Sequence, residues 1–216
     1  AVSAPGRPLV AVLDYGIGNV HSARKAIEKM GADARLTDDP ELIAAADGVV
    51  LPGVGAFGAC MNALRATGLE TPARDAVASG RPFLGICVGM QMLFDGSEED
   101  ANARGLGVIP GTIRWIPPGV KRPQMQWNRL TLRRPDDPLL AGLGDEAWVY
   151  FVHSLHGVPD DPDVVAATCT YGAELNAAFR LGNVFATQFH PEKSGPTGLR
   201  LLANFVGVCA GVTAGS

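Results

Sequence analysis

The chain has 216 residues, 47% apolar and 19% charged, with a net charge of −4. A chain of this length buries roughly 70–75% of the surface it exposes when unfolded, so it needs no disulfides to hold a core. The acidic balance argues against a nucleic-acid partner, which wants a basic surplus, and no run reaches the roughly 18 apolar residues of a membrane span.

Residues 1–8 carry one Arg and no apolar stretch, so they read as a loose leader rather than a signal peptide. A single domain is expected over 9–210, with a short tail over 211–216. Leu9 to Leu13 is an apolar run that predicts a first strand. It is followed by the loop Asp14-Tyr15-Gly16-Ile17-Gly18-Asn19. Val20, Ala23, Ile27 and Met30 then share one helical face, and Gly31 is placed to stop that helix. Further elements follow in alternation: a strand over Ala32–Leu36, a helix over Pro40–Ala46 and a strand over Gly48–Leu51. The sequence Pro52-Gly53-Val54-Gly55 breaks that strand. Helices over Ala59–Arg65 and Leu69–Ser79 lead to a strand over Phe83–Ile86, and Val88–Phe94 can continue as a helix.

Continuous apolar strands separated by helices predict a parallel sheet buried on both faces. Ligands bind beyond the carboxyl ends of such strands, so the loops Tyr15–Asn19, Pro52–Gly58 and Cys87–Gly89 should meet at one crevice. The second half reads differently. Shorter, alternating strands are expected over Trp148–Val152, Val164–Thr170, Asn176–Leu181 and Val184–Gln188, with Gly182-Asn183 as a hairpin turn. Antiparallel strands should therefore extend the parallel core. A last helix over Thr197–Cys209 presents Leu199, Leu202, Phe205, Val206 and Cys209 on one face, with Ser194 as a candidate N-cap and Pro196 at its start.

The cysteines Cys60, Cys87, Cys169 and Cys209 form no C-x-x-C pair and read as reduced thiols of a cytosolic protein. His153 and His156 sit three apart with no cysteine or carboxylate pair beside them, so no metal is expected.

Three motifs carry chemistry. Gly85-Ile86-Cys87-Val88-Gly89 fits a nucleophile elbow with Cys in place of Ser, entered by an apolar strand. Glycines on both sides remove Cβ atoms from a sharp turn, and a helix start would favour the thiolate. The bland reading is a structural Cys between packing glycines. His190-Pro191-Glu192 places a base, held extended by the following Pro, beside an orienting carboxylate. Alone, it is a common turn. Leu51-Pro52-Gly53-Val54-Gly55 is a glycine-rich loop that can offer a second N–H donor to an oxyanion, or be an ordinary strand–helix turn. A dinucleotide fingerprint fails, because His21 stands where its third glycine belongs.

Together these motifs resemble the class I (triad) glutamine amidotransferases. More narrowly, the chain is similar to the glutaminase subunits of imidazole glycerol phosphate synthases. That narrower likeness rests on Asp14–Asn19, the Val54 form of the loop, Trp127-Asn128, Tyr150-Phe151-Val152-His153-Ser154 and Ala186 to Ser194. It runs from about Leu9 to Val206. The resemblance implies an α/β fold: a mostly parallel, flavodoxin-like central sheet with helices on both faces, extended by antiparallel strands. It implies a triad of Cys87, His190 and Glu192. Backbone donors of Val88 and of Gly53, Val54 and Gly55 would hold the oxyanion. Gln91, Glu99, Ser154 and Leu155 would bind L-glutamine. Asn19, Trp127, Asn128 and Tyr150 would form the interface or ammonia gate to a (β/α)8-barrel cyclase partner, giving a heterodimer. It also implies a cytoplasmic enzyme without a cofactor.

The departures from the family pattern are specific. Gln124-Met125-Gln126 stands where His-Met-Gly is usual, Leu155 replaces an aromatic and Val88 replaces Leu. Gln124 and Gln126 fall where the family meets its synthase. They leave open a glutaminase for a different synthase, such as one for pyridoxal phosphate or a specialised metabolite. A non-catalytic sensor on the same elbow and a thiol hydrolase of esters or lactones stay open too.

Overall fold

The computed structural model describes residues 6–18 and 20–211. Its first half runs β1 (Leu9–Leu13), α1 (Val20–Lys29), β2 (Asp33–Thr37), α2 (Pro40–Ala45), β3 (Gly48–Leu51), α3 (Phe57–Ala66), α4 (Glu70–Ala78), β4 (Phe83–Ile86) and α5 (Val88–Gln91). The second half is mostly strand: β5 (Phe94–Ser97), β6 (Asp100–Arg104), β7 (Ile109–Trp115), β8 (Gln124–Arg129), β9 (Thr131–Leu132), β10 (Trp148–His153) and β11 (Leu155–Pro159). It closes with β12 (Val165–Thr170), β13 (Glu174–Leu181), β14 (Val184–Thr187) and α6 (Gly195–Cys209).

The main sheet has the order β2-β1-β3-β4-β14-β13-β12-β9. Its first five positions are parallel, the 2-1-3-4-5 order of a flavodoxin-like core. Every residue of β1, β3, β4 and β14 is buried, as continuous apolar runs require when both faces are covered. The chain steps one way from β1 to β2 and back the other way to β3, so right-handed crossovers put α1 on one face and α2 on the other. β13, β12 and β9 are antiparallel and extend this core. The hairpin expected at Gly182-Asn183 joins β13 to β14, with Leu181 opposite Val184.

Two smaller sheets complete the molecule: a ribbon of β10 with β8, and four strands in the order β11-β7-β5-β6. The helix expected over Val88–Phe94 stops at Gln91. Backbone N–H groups of Leu106, Val108 and Gly107 bond the carbonyls of Met92, Leu93 and Phe94, which pulls that segment out of the helix and into β5. On α6 the buried face is Gly198, Leu201, Leu202, Phe205 and Val206, while Leu199 is half-buried. Ser194 precedes α6, but its hydroxyl makes no cap bond. It donates to the His190 carbonyl at 2.6 Å and accepts from Tyr150 N–H at 3.0 Å. Pro8, expected in the leader, is buried, and its carbonyl accepts from Asp33 N–H. Residues 1–5 and 212–216, and Asn19, expected in the interface or gate, lie outside the described residues.

Candidate active site

β4 and β14 are parallel neighbours, with Ile86 opposite Thr187. Their carboxyl ends therefore release the chain at the same place. From β4 comes Cys87, with φ +56° the one non-glycine residue with positive φ among the described residues. Such backbone costs on the order of 1–3 kcal/mol and persists only where the surroundings fix it. Here Cys87 N–H donates to Thr187 O at 2.7 Å, and its carbonyl accepts from Gln91 N–H at 3.2 Å. The flanking glycines are sterically required. A Cβ on Gly89 would lie 2.0 Å from Leu51 O, and one on Gly85 would lie 2.8 Å from Leu93 Cδ1.

From β14 comes His190, extended at φ −95° and ψ 102° before Pro191. A single 3₁₀ turn, Pro191–Lys193, folds Glu192 back beneath it. Glu192 Oε1 lies 2.8 Å from His190 Nδ1, and both side chains are buried. The imidazole shares one cavity with Cys87, whose influence raises the His190 pKa. Burial works against a charged imidazole. The interactions with Cys87 and Glu192 outweigh it and lift the pKa to about 10. His190 thus holds a proton at neutral pH between an anion and a sulfur. Since α5 is four residues long, the helix start contributes little, and His190 is the main cationic neighbour of the thiol.

Cys87 and His190 open into a cavity of about 350 Å³. Its walls include Val54, Gly55, Val88, Gln91, Glu99, Ser154 and Leu155, every one anticipated from sequence. Gly53 and Glu192 line a smaller cleft beside it, with Ile17, Gly18 and Pro52. The described parts of the three expected loops therefore do converge. Gln91 is buried, and its amide donates to Gln188 Oε1 at 3.2 Å. Glu99 Oε1 accepts from Phe57 N–H at 2.8 Å, so one of its oxygens is already engaged at the start of α3.

The backbone donors expected to hold an oxyanion are not both free. Val88 N–H donates to Gly53 O at 3.2 Å. The neighbouring carbonyls are also held: Pro52 O accepts from Tyr15 Oη at 2.5 Å and Val54 O from the Cys60 thiol at 3.1 Å. Burial above all raises the Cys60 pKa, which keeps that thiol a donor. Freeing Val88 N–H requires the Gly53 carbonyl to turn away.

Sequence reasoning gave no role to Gln188, yet its amide reaches Cys87 Sγ at 3.8 Å. Its two-residue spacing from His190 on an emerging strand end was the available signal. Lys193, Pro123 and His153 also line the cavity without having been anticipated.

Trp127 and Tyr150 face each other across the ribbon, ring centroids 5.9 Å apart. They are not core aromatics, since Trp127 is 49% exposed and Tyr150 half-buried. Met125, Trp127, Trp148 and Tyr150 share one ribbon face with Arg129, alternating on β10 with buried Val149 and Phe151. Asn128 is tied by its amide to Thr170 O at 2.8 Å. Gln124, expected at a partner surface, is fully buried, whereas Gln126 is exposed. Alternation puts Gln124 on the face away from Met125, and its pairing with buried His153 covers it there.

Comparison with known proteins agrees with this geometry. Residues 11–209 match the family model described as glutamine amidotransferase class-I. The chain is 52% identical over 200 residues to the imidazole glycerol phosphate synthase subunit HisH of Synechococcus sp. (strain JA-3-3Ab), covering 91% of this chain and 92% of that protein. It is 50% identical over 204 residues to the HisH subunit of Syntrophotalea carbinolica, covering 91% and 98%. A solved glutamine amidotransferase superposes with a TM-score of 0.73 at 23% identity, covering 94% of this chain and 99% of that one. Motifs, fold and relatives agree: the chain belongs to the class-I glutamine amidotransferase family.

Proposed function

We propose that this chain is the glutaminase subunit of an imidazole glycerol phosphate synthase, acting in histidine biosynthesis. Relatives of that name, about half identical over nine-tenths of the chain, support it. They favour this pathway over pyridoxal phosphate or specialised metabolism. The observation that carries the chemistry is one constellation: Cys87 on a strained elbow and His190, held by Glu192, lining one cavity.

In this reading the γ-carboxamide carbon of glutamine meets Cys87 Sγ. The proton that the sulfur gives up resides on His190, with Glu192 compensating its charge. Attack forms the C–S bond, and His190 passes the proton to the departing ammonia. Water, deprotonated by His190, then cleaves the γ-glutamyl thioester to glutamate and restores the thiol. Val88 N–H and a donor of the Gly53–Val54–Gly55 loop hold the oxyanion once the Gly53 carbonyl has turned. A donor of this kind is worth about 2.7–4 kcal/mol. Gln91, Glu99, Ser154 and Leu155 form the wall that receives the amino-acid end of glutamine.

Free ammonia protonates in neutral water and loses its nucleophilicity, so the product serves a partner that takes it directly. The ribbon face with Trp127 and Tyr150 would dock that partner, a (β/α)8-barrel cyclase, in a cytoplasmic heterodimer. Tyr150 O accepts from His190 N–H at 3.4 Å, which joins this face to the triad strand. No described helix is long and apolar enough to cross a membrane.

The test is glutamate release by the chain alone and with the cyclase and its ligand. Release should rise with the partner and vanish in Cys87→Ala. Retained release in that variant would refute the triad.

A further inference from the structure

β8 leaves the cavity through three consecutive residues with three separate surroundings. Pro123 lines the cavity wall, Gln124 is fully buried, and Met125 is 63% exposed on the docking face. Gln124 is the register partner of His153 across the ribbon, and its Oε1 lies 2.6 Å from His153 Nε2. The other imidazole nitrogen, Nδ1, lies 2.7 Å from Leu155 O. Two acceptors face one imidazole, which can donate to both only when charged. Burial foremost keeps His153 neutral, lowering its pKa to about 4. In this amide orientation Gln124 Nε2 is buried without a partner.

Turning the amide through 180° resolves both conflicts. Gln124 Nε2 then donates to His153 Nε2, and His153 Nδ1–H donates to Leu155 O. Gln124 Oε1 then turns toward the side of the Cys169 thiol, on which the amide already acts. Burial lifts the Cys169 thiol to about 12, so it remains a donor. Both ring nitrogens of His153 and the Gln124 amide nitrogen are then partnered, as buried polar groups must be.

The last link shapes the cavity. The His153–Leu155 bond closes the bend at Ser154, where the chain passes from the ribbon to the four-stranded sheet. His153, Ser154 and Leu155 all line the cavity. We infer that Gln124 is a positioning residue: through His153 it sets the Ser154–Leu155 wall of the glutamine pocket and ties that wall to the strand bearing the docking face. This inference rests on the proposed glutaminase reading of the cavity. Gln124 does not touch the substrate. It fixes the tautomer and ring angle of His153, and thereby the corner.

The test pairs kinetics of the complex with histidine NMR on the full chain. Gln124→Leu removes the amide and leaves His153 Nε2 buried and unpaired. It should raise KM for glutamine about tenfold and leave kcat within a few fold. Gln124→His supplies an Nε2–H donor in place of the amide and should restore most of the loss. In the wild type, ¹⁵N shifts should report His153 as a fixed Nδ1–H tautomer that does not titrate near the ordinary value of 6.5. In Gln124→Leu that tautomer should become mixed. A wild-type His153 titrating near 6.5, or a Gln124→Leu enzyme with unchanged KM and tautomer, would overturn the inference. A complex that releases no glutamate would overturn the glutaminase reading instead, and the His153 spectrum would still decide whether the buried chain exists.

Discussion

The elbow and the ribbon hold their functional groups by different means. At the elbow, backbone does the work: Cys87 N–H bonds a neighbouring parallel strand, its carbonyl bonds Gln91, and glycines admit the close approach. In the ribbon, side chains do it. Trp127 lies against Tyr150, Gln124 against His153, and Ser194 bonds Tyr150 N–H from outside the sheet. Backbone anchoring tolerates few substitutions and fixes the reacting atoms. Side-chain rungs can be exchanged, as at Gln124, and suit a surface that must match a partner. The lesson is that the elbow and the exposed side chains of the ribbon should answer differently to substitution.

The largest effect should come from Cys87. Cys87→Ala should cut glutamate release by roughly a millionfold, to the detection limit, with the circular dichroism spectrum unchanged. Cys87→Gly should be equally inactive and should melt at a higher temperature, because glycine adopts φ +56° without strain. A lower melting temperature would mean that the elbow is not strained. Next comes Glu192→Gln, which keeps the shape but removes the charge facing His190 Nδ1. A loss of about 10³–10⁴ in kcat is expected, since the imidazole loses its orientation and its compensating anion. A loss under tenfold would take Glu192 out of the triad.

The ribbon should respond differently. Trp127→Ala should weaken partner binding by about 2 kcal/mol or more in calorimetry. It should leave the slow turnover of the lone chain intact, because Trp127 lies outside the cavity. Loss of lone-chain activity would show that the two regions are not separable. The smallest effect concerns His153. Its folded pKa, about 4, lies below the ordinary 6.5. Between those values the unfolded chain binds a proton that the folded chain refuses. Stability should therefore be complete above about pH 6.5 and fall as pH drops toward 4. His156, also lowered by burial, adds a slope of the same sign, so melting curves of His153→Phe should lose part of it, and an unchanged slope would place the titration elsewhere.

Much of the first region was legible in sequence. Continuous apolar runs such as Leu9–Leu13 and Phe83–Ile86 announce buried parallel strands, and glycines around Cys87 announce a turn whose backbone has no room for Cβ atoms. The spatial pairing of Cys87 with His190 was legible as two motifs that needed each other. The strands β5 to β9 and β11 were not expected. β9 is two residues long, and β5 and β6 carry Asp, Gly, Ser and Asn in place of an apolar alternation, so no local periodicity marks these. Gln124 was expected at a partner surface because its neighbours are. Only the pairing of β8 with β10 sets Gln124 opposite buried His153, while Gln126 on the same face stays exposed. The engagement of Val88 N–H by Gly53 O was equally invisible, being a backbone contact between loops 35 positions apart.

The central claim is that one sulfur, Cys87, carries the glutamyl group. Mass spectrometry of the complex quenched in acid during glutamine turnover tests it directly. A γ-glutamyl thioester on the peptide bearing Cys87, absent from those of Cys60, Cys169 and Cys209, is the predicted result. Continued glutamate release with no adduct on Cys87, or from Cys87→Ala, would contradict it.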